Sequence, residues 1–417
     1  MDILIWTNAY RAGKIGSRIA TSMWRRSGRL GAAGLLATLL LVFSYCRYVP
    51  QHAHFPQADG YGRRLDHPVP DQNLVRSSWQ GTCCKYGFSA CDRARRVHDL
   101  VLFFTDSNWR DIRLRAHAPS VEYSVVVESP TTFAKLSKPL LLQQNWDRFV
   151  DFHHEIIYKA VEDPVVSARH WDHEDFLRNA MLEKVFPRLQ SPKAAQKGDV
   201  LIVSDMDELL KPSTLLLMRY RNFPHRVTLR THFYYYSFQW LYWGEQWPHP
   251  QATTFGASVE ETLTPNDLRM NLLGSDIAPL AALSRWWNSA TLWDAGWHCS
   301  SCYSTMKQMQ TKMQSFSHQA WNIEENRNAQ TIVRRVRNGM DLFGRPGETY
   351  TQVNNNQDLL QFILDANRTD GRFRYLLSRD GRDAAFEDLD QMDANRGEGD
   401  ARARGPDQVQ VSDRDDV

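Results

Sequence analysis

The chain has 417 residues, 42% of them hydrophobic, 24% charged and 12% aromatic, with 50 Lys and Arg against 48 Asp and Glu. That much apolar material excludes a wholly disordered chain. A net charge of +2 argues against a dedicated nucleic-acid binder, which carries a basic excess. Six cysteines are too few for a disulfide scaffold of this length, and fourteen Trp suit core packing and sugar-facing clefts alike.

Residues 30–46 (LGAAGLLATLLLVFSYC) run for 17 positions without a charge, and Arg11, Lys14, Arg18, Arg25, Arg26 and Arg29 precede them. The pattern predicts a signal anchor with residues 1–29 in the cytoplasm and the remainder across the membrane. A cleaved signal peptide and a buried core helix are the other readings. With an anchor, residues 47–96, rich in Pro, Gly, Gln and His, read as a stem in an oxidising lumen. There Asn367-Arg368-Thr369 is a usable glycosylation sequon.

From residue 97 to 377 the pattern is that of one catalytic domain. Asp99 to Phe104 is a short apolar run and reads as a buried strand. VEYSVVV at 121–127 is a second strand, ending in Glu128, and residues 155–158 are a third. Residues 171–189 have helical spacing, with Phe176, Ala180 and Lys184 on one row and Leu177, Met181 and Val185 beside it. VLIV at 200–203 is another buried strand, Pro212 opens a helix through Tyr220, and 227–238 is an aromatic strand. Strands alternating with helices predict an α/β domain with a mostly parallel, doubly wound sheet whose ligands lie beyond the strands' C-terminal ends. Residues 378–417, nearly devoid of large apolar groups, read as a disordered tail.

The most informative stretch is GDVLIVSDMDELL, 198–210. Four strand residues lead straight into Ser204, Asp205, Met206, Asp207 and Glu208. Three carboxylates packed at a core-strand end repel one another and are costly to bury without a compensating cation. Extended residues two apart point the same way, so Asp205 and Asp207 converge on one ion. Oxygen ligands suit Mg²⁺ or Mn²⁺ with positions left for phosphate oxygens, the arrangement that holds a nucleotide-sugar diphosphate. A solvated turn is the bland alternative, and a phosphatase or nuclease uses similar chemistry.

Several segments in order resemble glycosyltransferase family 17. They are Ile112-Arg113-Leu114, VVVES at 125–129 with Thr132-Phe133, Trp171-Asp172-His173-Glu174 with Arg178, and Ser204 to Glu208. FYYYSFQW at 233–240, GWHCSSC at 296–302 and SFSH at 315–318 follow. The likeness covers roughly residues 98–350, and its last two strings are unusual. It implies a GT-A-like fold related to the Rossmann arrangement, inverting transfer of GlcNAc from UDP-GlcNAc to a mannose of an N-glycan, and a single-pass type II protein of the Golgi membrane. One departure is the stretch after the first strand, where Asp106 and Asp111 stand in for an acidic motif. Another nucleotide-sugar donor, a lipid or wall-glycan acceptor, or a non-catalytic glycan-binding protein are the rival readings.

On this reading Asp207 is the first metal ligand, Asp205 binds the metal or a ribose hydroxyl, and His318 adds a ligand, with His298 as its rival. Glu128, Arg113 and Arg178 are the candidates for nucleotide and phosphate contacts. Inverting transfer needs a base for the acceptor hydroxyl, and Asp294 is the candidate, with Glu245 as alternative. Cys299-x-x-Cys302 reads as part of structural disulfides whose pairing the spacing leaves open.

Overall fold

The structure, a computed structural model, describes residues 88–104, 107–270, 288–316 and 318–389. The expected cytoplasmic segment 1–29 and anchor 30–46 lie outside the described residues, as do stem residues 47–87 and tail residues 390–417. Among the described residues no helix is long and apolar enough to cross a membrane.

A ten-stranded sheet organises the domain, with the order β10-β7-β6-β8-β4-β1-β2-β3 and a branch in which β9 joins β6 and β5. Its parallel half is β3 (Ile156–Ala160), β2 (Tyr123–Glu128), β1 (Val97–Phe103) and β4 (Val200–Ser204). These strands read as continuous apolar runs because both faces are covered. Val101 and Val126 face Trp109 and Ile112 of helix α1 (Ser107–His117). Leu100, Val125, Val127 and Val203 face Leu177, Met181 and Val185 on the other side.

Beyond β4 the expected parallel order stops. β8 (Gln251–Thr254) runs antiparallel beside β4, and β6 (Arg226–Tyr235) lies antiparallel to β8. β7 (Trp240–Tyr242) and β10 (Tyr350–Gln352) extend that antiparallel side. β5 (Glu208–Leu210) pairs antiparallel with β9 (Ser289–Ser300), placing Glu208 opposite His298 and Leu210 opposite Gly296. Gly296 is required there, because a Cβ would fall 2.0 Å from the Leu209 carbonyl oxygen. The sheet is therefore mixed, with helices on both faces of its parallel half.

Helix α2 (His170–Ala180) stops short of the predicted end and passes through a π turn (Met181–Val185) into a 3-10 turn carrying Pro187. Its buried row is Leu177, Met181 and Val185, whereas Lys184 is exposed. Helix α3 (Pro212–Tyr220) lies where its proline predicts.

Two domain boundaries shift. The stem's last residues are tied to the domain, with the Cys91 amide donating to the Tyr220 carbonyl and the Arg95 amide to Arg219. The tail expected from 378 begins later. Arg379 is fully buried and donates to the carbonyls of Tyr236, Tyr303 and Ala384, while Phe386 packs beneath it. One buried guanidinium that binds three carbonyls orders a segment whose composition alone looks solvated.

Candidate active site

The acid cluster is built on a buried ion pair. Arg113 of α1 meets Asp99 of β1 at 2.7 and 2.6 Å, and both side chains are 2% exposed. Its remaining N–H groups donate to the Ser204 hydroxyl and to the carbonyls of Asp205 (3.1 Å) and Glu208 (2.7 Å). All five donors of the guanidinium are engaged, so Arg113 has none left for the phosphate contact expected of it. It fixes the backbone of the acidic turn instead. His117 completes the base, its Nδ1 3.1 Å from Asp99 and its Nε2 accepting from the Leu210 amide. That acceptor role needs neutral imidazole, and burial together with Arg113 lowers the His117 pKa accordingly.

Above this base Asp205, Met206 and Asp207 turn out of β4 before β5 begins, so the two aspartates stand on a turn, not on an extended strand. Glu208 is fully buried. It accepts two hydrogen bonds from Arg269, at 2.9 and 2.8 Å, one from the Trp247 indole at 2.8 Å and one from the Asp205 amide at 2.8 Å. Burial pushes its carboxyl up, but Arg269 outweighs this and holds it well below the usual range. Asp205 is partly exposed and touches Arg269 at 2.5 Å and Arg178 at 3.7 Å. Loss of water around it leaves its carboxyl raised despite Arg269, with Glu208 adding repulsion.

Arg178 does reach the cluster, as expected, but as a counter-ion. It pairs with Glu174 one turn back on α2, donates to Asn266 at 3.3 Å and is 3% exposed. Asp207 differs from both neighbours. Its one side-chain partner among the described residues is His298, at 3.6 Å. Burial raises its carboxyl, but His298 and Lys312 bring it below the usual range. The Asp207 carbonyl accepts from the Cys299 amide at 3.1 Å, and Cys299 is disulfide-bonded to Cys302.

Among the described residues His298 is the side chain that ion-pairs with Asp207, and Asp205 keeps one oxygen 3.7 Å from Arg178. Carboxylate oxygens of this kind suit a hard divalent cation. The two buried arginines are outnumbered by Glu208, Glu174 and Asp205, and Asp207 adds to that excess of negative charge.

The base candidates lie elsewhere. Successive residues of a strand face opposite ways. On β6 the Phe233 ring packs against His298 (4.9 Å), on the Asp207 side, whereas His232 holds Asp294 at 2.7 Å on the other side. Asp294 sits at φ +57° in the bulge of β9 and also binds Lys211 at 2.8 Å. Burial raises its carboxyl, but His232 and Lys211 lower it further than burial lifts it. Among the described residues, His232, Asp294 and Asp358 are the group of three whose possible metal-ligand atoms lie within 4.8 Å of one another. Lys211 already lies 2.8 and 3.3 Å from its two carboxylates, so a cation there must displace an ammonium. Glu245 is 81% exposed and pairs with Arg230.

Glu128 is fully buried and accepts from the Tyr158 hydroxyl at 3.0 Å and the Leu142 amide at 3.2 Å, with Lys138 at 3.4 Å. Its oxygens are committed to partners within the protein. His318 is exposed, stacked on Trp321 (4.9 Å) and edge-on to Trp171 (4.8 Å). Asp111 pairs with Arg115, and Asp106 lies outside the described residues.

Sequence reasoning missed Arg269 and Trp247. Arg269 closes a five-residue helix (Pro265–Arg269) capped by Thr264, and nothing in that local string marks it as a partner for residues 61 and 64 positions away.

No curated protein matches the chain. Among solved structures it is similar to the mannosyltransferase PcManGT from Pyrobaculum calidifontis, in complex with GDP-Man and Mn2+. They are 12% identical over 64% of this chain and 71% of that one, with a TM-score of 0.30. The inositol-1-phosphate CTP transferase from T. maritima is 12% identical over 49% of this chain and 86% of that one, with a TM-score of 0.26. The family model for glycosyltransferase family 17 matches residues 64–259 and 284–369, more than half of the chain. With the strand-end acids lying inside the matched region, the chain belongs to glycosyltransferase family 17.

Proposed function

We propose that this glycosyltransferase moves GlcNAc from UDP-GlcNAc to a mannose of a glycoprotein N-glycan, in a reaction that needs Mn²⁺ or Mg²⁺. The observation that carries the reading is Asp207, a carboxylate held below its usual range on the turn after β4, with His298 3.6 Å away, in a chain of this family. Asp207 and the outer oxygen of Asp205 would hold the metal, with His318 on the rim as a further ligand. The bound ion would neutralise charge on the departing diphosphate. Arg269 and Glu208 keep the turn rigid, so the ligand oxygens are in place before donor arrives. We place the protein in the Golgi membrane as a type II protein held by residues 30–46. A panel of nucleotide sugars tested for UDP release, with Mn²⁺ and with chelator, tests this. Turnover of UDP-GlcNAc that chelation abolishes is expected, and undiminished turnover in excess EDTA removes the metal step.

A further inference from the structure

A cavity of about 700 Å³ opens between the segment after β10, helix Gln361–Thr369 and the chain around Arg374. Nothing in the reaction above uses it. Its floor is rigid. Gln239 is 3% exposed, donates to Asp380 at 2.8 Å and accepts from the Arg379 amide at 2.8 Å. Asn356 donates to the Tyr234 hydroxyl at 3.1 Å and to the Phe238 carbonyl at 2.9 Å. Tyr234 follows Phe233 on β6, so the cavity belongs to the face opposite the ring that packs on His298.

The rim differs from the floor. Asn354 and Arg374 line the cavity, are exposed, and make no side-chain hydrogen bond among the described residues. Leu364 adds an apolar strip to the wall. Amides that offer a donor and an acceptor side by side match vicinal hydroxyls, and an aliphatic strip matches the C–H face of a pyranose. Two guanidiniums, Arg368 and Arg374, and one carboxylate, Asp380, line it; Arg368 donates to Asp365 and Asp380 accepts from Gln239 and Ser378. No aromatic ring lines it to stack a nucleobase. The volume falls within the usual range of small-ligand sites, roughly 300–1,000 Å³.

We propose that this cavity is a carbohydrate-binding site separate from the acid cluster, taking a neutral oligosaccharide by its hydroxyls. It gives the enzyme a hold on a glycan, remote from the transferred bond, and so raises the local concentration of acceptor. The test is calorimetric binding of a neutral oligosaccharide of mannose and GlcNAc to the full-length chain, without nucleotide or metal. Saturable binding is expected, at least tenfold weaker in Asn354→Ala/Arg374→Ala and lost in Asn354→Trp, which fills the rim. Asp207→Ala should bind as the unmodified chain does. Absence of saturable binding, unchanged affinity in both rim variants, loss of binding in Asp207→Ala, or displacement by inorganic phosphate would each overturn the proposal. The cavity's role as a hold on acceptor rests on the transfer proposed above; binding weakened in the rim variants but kept in Asp207→Ala assigns the oligosaccharide to the cavity and not to the acid cluster, whether or not transfer is found.

Discussion

Arg269 closes on Glu208 through two hydrogen bonds of 2.9 and 2.8 Å, and one of the same nitrogens reaches Asp205 at 2.5 Å. A single buried guanidinium therefore contacts two of the three acids that follow β4, and the third, Asp207, is the proposed metal ligand. Removing Arg269 strands a fully buried carboxylate. We expect Arg269→Met to lower stability by about 3–5 kcal/mol, the usual cost of breaking a buried pair. Denaturant unfolding measures this, and a loss below about 1 kcal/mol would show that the pair is not structural.

Asp207 should behave in the opposite way. Its substitution by Asn removes the proposed metal ligand without stranding an arginine. Transfer should fall by about 10²–10³-fold, the scale seen when a group that stabilises developing charge is lost. Stability should stay within about 1 kcal/mol, since the side chain that pairs with it among the described residues is a histidine at 3.6 Å. Initial rates and a melting curve on the same sample decide it, and retained activity would exclude Asp207 from the chemistry.

The Asp99–Arg113 pair sets an acid limit on the fold. Burial pushes the Asp99 carboxyl up, but Arg113 and His117 outweigh it and hold the group below its usual value. A depressed folded pKa contributes stability that is present above the unfolded value, about 3.9, and is lost as pH falls through the folded value. Stability measured by urea unfolding should decline below about pH 4. In Asp99→Asn the whole curve should drop and its acid limb should flatten, and an unchanged acid slope would rule the pair out as its source.

Gly296 tests the β5–β9 ribbon that carries the acidic turn. A Cβ there would lie 2.0 Å from the Leu209 carbonyl oxygen and 2.8 Å from the Leu210 Cα, both backbone atoms. Gly296→Ala must push the two strands apart, and overpacking of this kind costs about 1–3 kcal/mol or more. We expect a loss of about 3 kcal/mol on thermal unfolding, with transfer reduced because Glu208 and His298 face each other on this ladder. A variant as stable as the unmodified chain would mean that the ribbon has room the geometry denies.

The chain's own order of residues determined the parallel half of the sheet, because VHDLVLF, YSVVVE and VLIVS are runs that only strands covered on both faces can use. It determined that acids stand at the end of β4. Tertiary structure alone decided which charges meet. Asp99 is paired with an arginine of the helix that follows it and Glu208 with one 61 residues away, which turned Arg113 from an expected phosphate ligand into scaffold and introduced Arg269. It also decided sidedness. A bulge at Asp294 and the alternation of β6 send His232 and Phe233 to opposite faces, separating the expected base from Asp207. Periodicity records which residues are buried, but the free energy of a buried charge depends on what lies a few ångströms away through space, and local sequence carries no measure of that distance.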